Sequence, residues 1–250
     1  MTEFRYSTWE DRAGLTQLWQ QAFGDETLFI DAFFETAYAP VRSRVAVEEG
    51  RIAGMLFWFE CSYRKEKMAY LYAVATDLSF RGKGIATALM KDCERVLKER
   101  GYDGVILSPG SRELFRFYRE RGYRTLGFRR EDRIAAGEPV PLREVEPEEY
   151  ARIRKNLLPE KGIVQEGENL AFLHRFCRFY AGADFCAAVY RTEAFVPEYL
   201  GGREGIPGLL GALGLEEASV RTAEAVIPCA MAKWLGDRAP EDFYLGFVFD

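Results

Sequence analysis

The chain has one histidine, His174, so it lacks the residue on which most metal and triad chemistry relies. A multi-histidine metal site is excluded. The five cysteines (Cys61, Cys93, Cys177, Cys186, Cys229) contain no C-x-x-C pair to replace it, so no metal is expected. Their odd count and wide spacing do not form a disulfide scaffold and fit buried free thiols in a reducing cytoplasm. No run of about 18 apolar residues is present, so no membrane-spanning helix is expected. The charged start MTEFRYSTWED has no apolar stretch of the kind a secretory signal needs. A basic surplus is missing too. The formal net charge is −5, distributed as +3 over residues 1–130 and −8 over residues 131–250, which argues against nucleic acid as a partner. Two phosphate-binding signatures are also absent. No G-x-x-x-x-G-K-[ST] occurs around Gly82, and Thr87 stands where a dinucleotide fingerprint needs its third glycine.

What remains is ordinary globular material of 250 residues, 48% apolar and 29% charged, enough for one large or two compact domains. Periodicity predicts a strand at 4–6, a helix carrying Leu15, Leu18, Trp19, Ala22 and Phe23 on one face, and a second helix over 25–38 ended by Pro40. Strands follow at 44–48, 52–59 and 68–76, then a helix over 84–100 striped by Ile85, Leu89, Cys93, Val96 and Leu97 and stopped by Gly101. A strand at 104–108, a helix at 111–121 and a strand at 123–129 complete a first domain over 1–133. Residues 134–141, with glycine and two prolines, read as a linker. The second half, 142–250, echoes the first: a strand at 142–145, helices at 147–157 and 167–180, strands at 185–190 and 195–200, a helix at 206–213, and strands at 219–223, 229–234 and 243–249. The class is α/β (α+β), a mixed and mostly antiparallel sheet flanked by helices.

The informative stretch is YLYAVATDLSFRGKGIATALM, residues 70–90, where a strand enters a short loop with Gly82 and Gly84 and a helix opens. The first amides of a helix have no internal partner and point along a dipole that favours anions. Glycine lets backbone approach a bulky anion closely, and Arg81 and Lys83 add positive charge. Such a loop suits a phosphate or pyrophosphate.

The loop RGKGIA resembles the [Q/R]-x-x-G-x-[G/A] loop of the GNAT acetyltransferase superfamily. Val74-Ala75-Thr76 sits where those enzymes keep a splayed central strand, and SRELFRFYRERGY (111–123) is similar to their closing helix, which ends F-Y-x-x-x-G-[F/Y]. The match spans about residues 1–130. AVATDLSFRGKGIATALM is most similar to the enhanced-intracellular-survival type of aminoglycoside acetyltransferase, in which a degenerate second GNAT domain follows the first. The third, sterol-carrier-like domain of those proteins has no room in 250 residues.

The resemblance implies acetyl-CoA as cosubstrate, held by Arg81, Gly82, Lys83, Gly84, Ile85 and Ala86 at the pyrophosphate and by Val74, Ala75 and Thr76 along the pantetheine arm. It implies Tyr118 as the acid that protonates the departing thiolate. The acceptor is expected to be a primary amine of a small molecule or peptide. Its general base stays open between Glu60, Asp77, the chain-end carboxylate at Asp250 and a water relay. His174 reads as a surface or packing residue. Most of Phe57, Trp58, Phe59, Tyr63, Tyr70 and Tyr72 read as core, with one or two lining the acceptor pocket. The second-half counterpart, EYLGGREGIPGLL, lacks the loop spacing and is expected to bind no CoA; that half walls the acceptor cleft or forms a homo-oligomer interface. Its net −8 suggests carboxylates from 142–250 at the rim of a cleft for a cationic acceptor. The competing class is a non-catalytic acyl-CoA sensor or scaffold.

Overall fold

The structure, a computed structural model, describes residues 2–237 and 241–248. Its first half runs β1 (Glu3–Arg5), α1 (Arg12–Phe23), α2 (Thr27–Thr36), β2 (Ser43–Glu48), β3 (Arg51–Tyr63), β4 (Glu66–Thr76), α3 (Ile85–Glu99), β5 (Gly104–Leu107), α4 (Arg112–Arg119) and β6 (Arg124–Ala135). The second runs β7 (Arg143–Val145), α5 (Pro147–Leu157), β8 (Ile163–Gln165), α6 (Glu168–His174), β9 (Cys177–Ala181), β10 (Cys186–Tyr190), β11 (Phe195–Leu200), α7 (Ile206–Ala212) and β12 (Glu217–Trp234).

One sheet runs through both halves in the order β1-β2-β3-β4-β5-β12-β11-β10-β9-β7, with β6 on β12 and β8 on β3. Pairing is antiparallel except for β4–β5 and β11–β12. The order β7-β9-β10-β11-β12 therefore repeats β1 to β5 in both sequence and direction. Strand alternation sorts the side chains onto two faces. Phe57, Phe59, Tyr70 and Tyr72 join Leu15, Trp19 and Phe33 of α1 and α2, while Leu56, Trp58 and Leu71 join Leu89, Cys93 and Tyr118 of α3 and α4.

Several sequence expectations are corrected. The helix expected over 167–180 ends at His174, and residues 177–181 form β9. There the alternation of buried Cys177, Phe179 and Ala181 pairs with β10, and this non-local ladder overrides local helical spacing. The strands expected at 219–223 and 229–234 are one strand, β12, which carries a bulge against β6 between Thr222 and Ile227. Of the strand expected at 243–249, Phe243 and Tyr244 make isolated bridges, to Gly127 and Gly162, and Phe249 lies outside the described residues. Ile134 and Ala135, placed in the linker, belong to β6. The rest of that linker is pinned to α7, with the Gly137 amide donating to the Pro207 carbonyl at 2.9 Å. β12 also crosses the expected boundary: Met231–Trp234 pair with β5 and Phe195–Tyr199 with Ser219–Thr222. All five cysteines are buried and free, and no helix among the described residues is long and apolar enough to cross a membrane.

A buried ion pair holds the end of the chain. Arg154 and Glu198, 1% and 0% exposed, meet at 2.7 Å, and the hydroxyls of Tyr150 and Tyr244 donate to the same carboxylate. Gln165 pairs with the Phe247 backbone, donating to its carbonyl and accepting from its amide, both at 3.0 Å.

Candidate active site

The site is built around an irregularity in β4. Along β3, Met55 faces Ala75 and Phe57 faces Tyr72, so Leu56 alone opposes Ala73 and Val74. Ala73 absorbs this bulge at φ +48°, a conformation that costs a non-glycine residue about 1 kcal/mol or more. On its other edge β4 pairs with β5 from Met68↔Gly104 to Tyr70↔Ile106 and no further, although β4 runs on to Thr76. The two parallel strands splay there, and among the described residues Ala73 to Thr76 have no ladder partner on that edge.

The chain then enters the glycine loop. Asp77 caps a single turn at Leu78–Phe80 by accepting from the Ser79 amide at 2.8 Å. Gly82 and Gly84 follow at φ +76° and +79°, left-handed values that favour glycine, and a Cβ on either would meet nothing within 4 Å. Gly84 is the N-cap of α3. The amides of residues 82–87 have no hydrogen-bond acceptor among the described residues, and the first helical bond is Ala88 N–H to the Gly84 carbonyl at 3.0 Å. Arg81 donates back to the Thr76 carbonyl at 3.3 Å, and the Lys83 ammonium lies 4.8 Å from the Phe80 ring centre. An exposed arc of free amides and two cations thus stands directly beyond the unpaired edge of β4.

Tyr118 closes the other side. Ser111 caps α4 by accepting from the Leu114 amide at 3.3 Å, and α4 carries Tyr118 inward to 6% exposure. Arg121 fixes that helix to α3, donating twice to the Thr87 hydroxyl at 2.9 and 2.7 Å while lying 3.3 Å from the Phe117 ring centre. The Tyr118 hydroxyl has no hydrogen-bond partner among the described residues. Burial pushes its pKa up to about 12, against a smaller opposing pull from Arg121, so it is a protonated phenol at neutral pH.

A cavity of about 530 Å³ lies between the edge of β4 and Tyr118, and residues 81–87 of the glycine loop are not part of its lining. Leu71, Val74, Leu107 and Tyr118 line it, as do Trp19, Phe29, Tyr70 and Tyr72 from the opposite face of the sheet. It therefore passes through the strand splay. Among the described residues none from 142–250 lines it, so the expected acidic rim from the second half is not found.

The proposed bases fare differently. Glu60 does not line the cavity. Burial works to raise its carboxyl, but the Tyr102 hydroxyl and the charges of Lys67 and Arg42 outweigh burial and hold it low. Asp77 faces a separate pocket beside Arg51, and its bond from Ser79 holds its carboxyl low. Asp250 lies outside the described residues. His174 packs on Phe179 at 5.3 Å, away from the cavity. Among the described residues Asp25 is the one carboxylate that does line the cavity, and its Oδ2 accepts from Trp19 Nε1 at 2.7 Å; nothing in its sequence context marks it.

Residues 3–126 match the family model described as the acetyltransferase (GNAT) domain. The first half of the chain carries a GNAT acetyltransferase domain. The chain's GNAT fold is shared with solved structures well beyond the matched domain. A GCN5-related N-acetyltransferase from Kribbella flavida is 15% identical with a TM-score of 0.71, over 94% of this chain and 72% of that one. One from Anabaena variabilis is 16% identical with a TM-score of 0.73, over 94% and 73%. Eis1 from Mycobacterium abscessus is 13% identical with a TM-score of 0.67, over 94% and 74%. No curated protein sequence matches the chain.

Proposed function

We propose that this GNAT protein transfers an acetyl group from acetyl-CoA to a primary amine of a small molecule or peptide. The observation that carries this reading is a succession along the chain: the edge of β4, whose Ala73 and Val74 line one cavity with Tyr118, runs on into the loop of free amides at 82–87. Acetyl-CoA would supply the thioester whose acyl group is transferred. Residues 82–87 would hold its pyrophosphate through their amides, with Arg81 and Lys83 offsetting its charge. Val74, Ala75 and Thr76 would pair with the pantetheine arm as a strand, and an amide from the same bulged edge would donate to the developing oxyanion, a contact typically worth about 3 kcal/mol. Tyr118 would give its proton to the departing sulfur. Glu60 and Asp77 do not line the cavity, so we assign the amine's proton to a water relay.

In this reading residues 1–133 form the catalytic domain and residues 142–250 a degenerate tandem copy. The repeated strand order supports that division, and β12 completes the first domain's sheet. Five buried free thiols fit a cytoplasmic setting.

The test is Gly84→Glu. It forces a side chain onto a left-handed backbone position and sets a carboxylate at the anion site. Calorimetry is expected to show acetyl-CoA binding lost while the thermal transition is retained. Unaltered affinity would sink the loop assignment.

A further inference from the structure

The cavity also constrains the acceptor, and this inference rests on the acetyltransferase reading above. Its wall on the α1/α2 side is aromatic: Trp19, Phe29, Tyr70 and Tyr72. Phe23 of α1 continues that wall to the surface, and Leu114 of α4 lines the cavity too, at 47% and 40% exposure, which is unusual for large apolar side chains unless something covers them. Among the described residues lining the cavity, Asp25 is the one acidic side chain, and no lysine, arginine or histidine is present. Trp19 Nε1 fixes Asp25 Oδ2 at 2.7 Å, which orients the carboxylate, while Oδ1 has no partner among the described residues. A single, oriented and half-satisfied carboxylate in an aromatic wall matches one ammonium. The rings of Trp19 and Tyr72, 5.5 Å apart edge to face, give the body that carries the ammonium an apolar surface. A second or third ammonium would find no counter-charge there and would lose its hydration against carbon.

We infer that the acceptor is a monoamine on an aromatic or alkyl body, its nitrogen held at Asp25 and its body against Trp19, Phe29 and Tyr72, and that polyamines and aminoglycosides are poor substrates. The acidic second half has no part in this selection.

The experiment measures CoA release with acetyl-CoA and 2-phenylethylamine, a straight-chain series from ethylamine to hexylamine, spermidine and kanamycin. The expected result is that kcat/KM for 2-phenylethylamine exceeds that for spermidine and kanamycin at least tenfold. In the alkyl series it is expected to rise by about fourfold per methylene. Asp25→Asn should raise KM for 2-phenylethylamine at least tenfold. It should leave inhibition by the uncharged 2-phenylethanol unchanged, a readout that general damage to the pocket would move. Preference for spermidine or kanamycin, with acetyl-CoA still bound, overturns this inference and leaves the acetyltransferase reading standing. An unchanged KM in Asp25→Asn overturns the placement of the nitrogen. Octanoyl-CoA outperforming acetyl-CoA would mean the aromatic wall receives the acyl chain, and overturns the inference as well. Failure of acetyl-CoA to bind, or its binding with no transfer to any amine, overturns both readings.

Discussion

Replacing Tyr118 by phenylalanine removes one oxygen, the one assigned above as the acid. The hydroxyl has no hydrogen-bond partner among the described residues, so its loss leaves no buried donor or acceptor orphaned. The ring keeps its contacts with Phe117 and Tyr123, 5.2 and 5.8 Å between centres. The cost to folding should therefore stay below about 1 kcal/mol. The cost to chemistry should be much larger. General acid catalysis typically contributes about 10²- to 10⁴-fold, or roughly 3 to 5 kcal/mol of barrier. A phenol near pKa 12 is a weaker acid than a thiol in water, but the departing thiolate shares the same desolvated cavity, where burial raises every anion's pKa. Transfer depends on the difference between the two, which burial of both partners leaves small. The assay is thiol release followed with a chromogenic disulfide, to which the five buried cysteines contribute little. The expected outcome is a loss of kcat of at least a hundredfold in Tyr118→Phe, with acetyl-CoA affinity within about twofold of the parent. The phenol also stays protonated well above neutrality, so it should add no descending limb to the pH–rate profile between pH 6 and 9. A variant that keeps half of the parental kcat, or a descending limb in that range that disappears with the hydroxyl, would refute the reasoning.

Three further outcomes are expected. Burial pushes up the thiols of Cys61, Cys93, Cys177 and Cys186, so above about pH 8.5 the unfolded chain binds fewer protons than the folded one. Stability should then fall with rising pH, by about 1.4 kcal/mol per thiol per pH unit, and a melting temperature flat from pH 8 to 10 would contradict this. Glu198→Gln leaves the Arg154 guanidinium buried without its counter-charge. It should cost about 3 to 5 kcal/mol, read as a fall of roughly 10 °C in melting temperature; a fall of a degree or less would reject that account. A fragment ending at Arg133 loses the β12 residues that separate β5 from β6, so it should show no cooperative melting transition; a folded fragment with full acetyl-CoA affinity would show that β12 is dispensable.

The elements that sequence reveals here are those whose causes are local. The Gly82–Gly84 pair, the α3 stripe and the Ser111 cap each state their geometry within a few residues, and each is found where the spacing puts it. The errors come from long-range pairing. The interruption at AEAVIP reads as a gap between two strands because Pro228 and a glutamate break the pattern. β6 instead holds both sides of it, with Arg130 facing Thr222 and Arg129 facing Ile227. Asp25 was illegible because one aspartate between two helices carries no signal until Trp19 folds over it. The charge asymmetry misled for a related reason. Many acidic groups near the join are engaged in ion pairs, Glu131 with Arg221, Glu217 with Arg133, and Glu224 with Arg130 and Arg203, so they sit along β6 and β12 and not at the cavity.

The two halves share a strand order, yet the features proposed to form an acyl-CoA site lie in one of them, and the difference is physical. In the first half the three-pair ladder with β5 stops at Tyr70, well before the end of β4; in the second, β11 pairs with β12 at Phe195 and Val196 and, past an irregularity, again at Tyr199↔Thr222, one residue short of its end. The first half's loop offers a run of free amides. In the second, the Tyr199 hydroxyl and the Gly205 amide both donate to the Gly202 carbonyl, at 2.9 and 3.0 Å. The Glu204 carboxylate folds back onto Gly202, which sets negative charge where the first half is proposed to take an anion. Pro207, at the second position of α7, removes another donor. Once β12 no longer has to splay from β11, its far end is free to insert between β5 and β6. In the tandem reading, the same change that closed one site supplies the strand that completes the other.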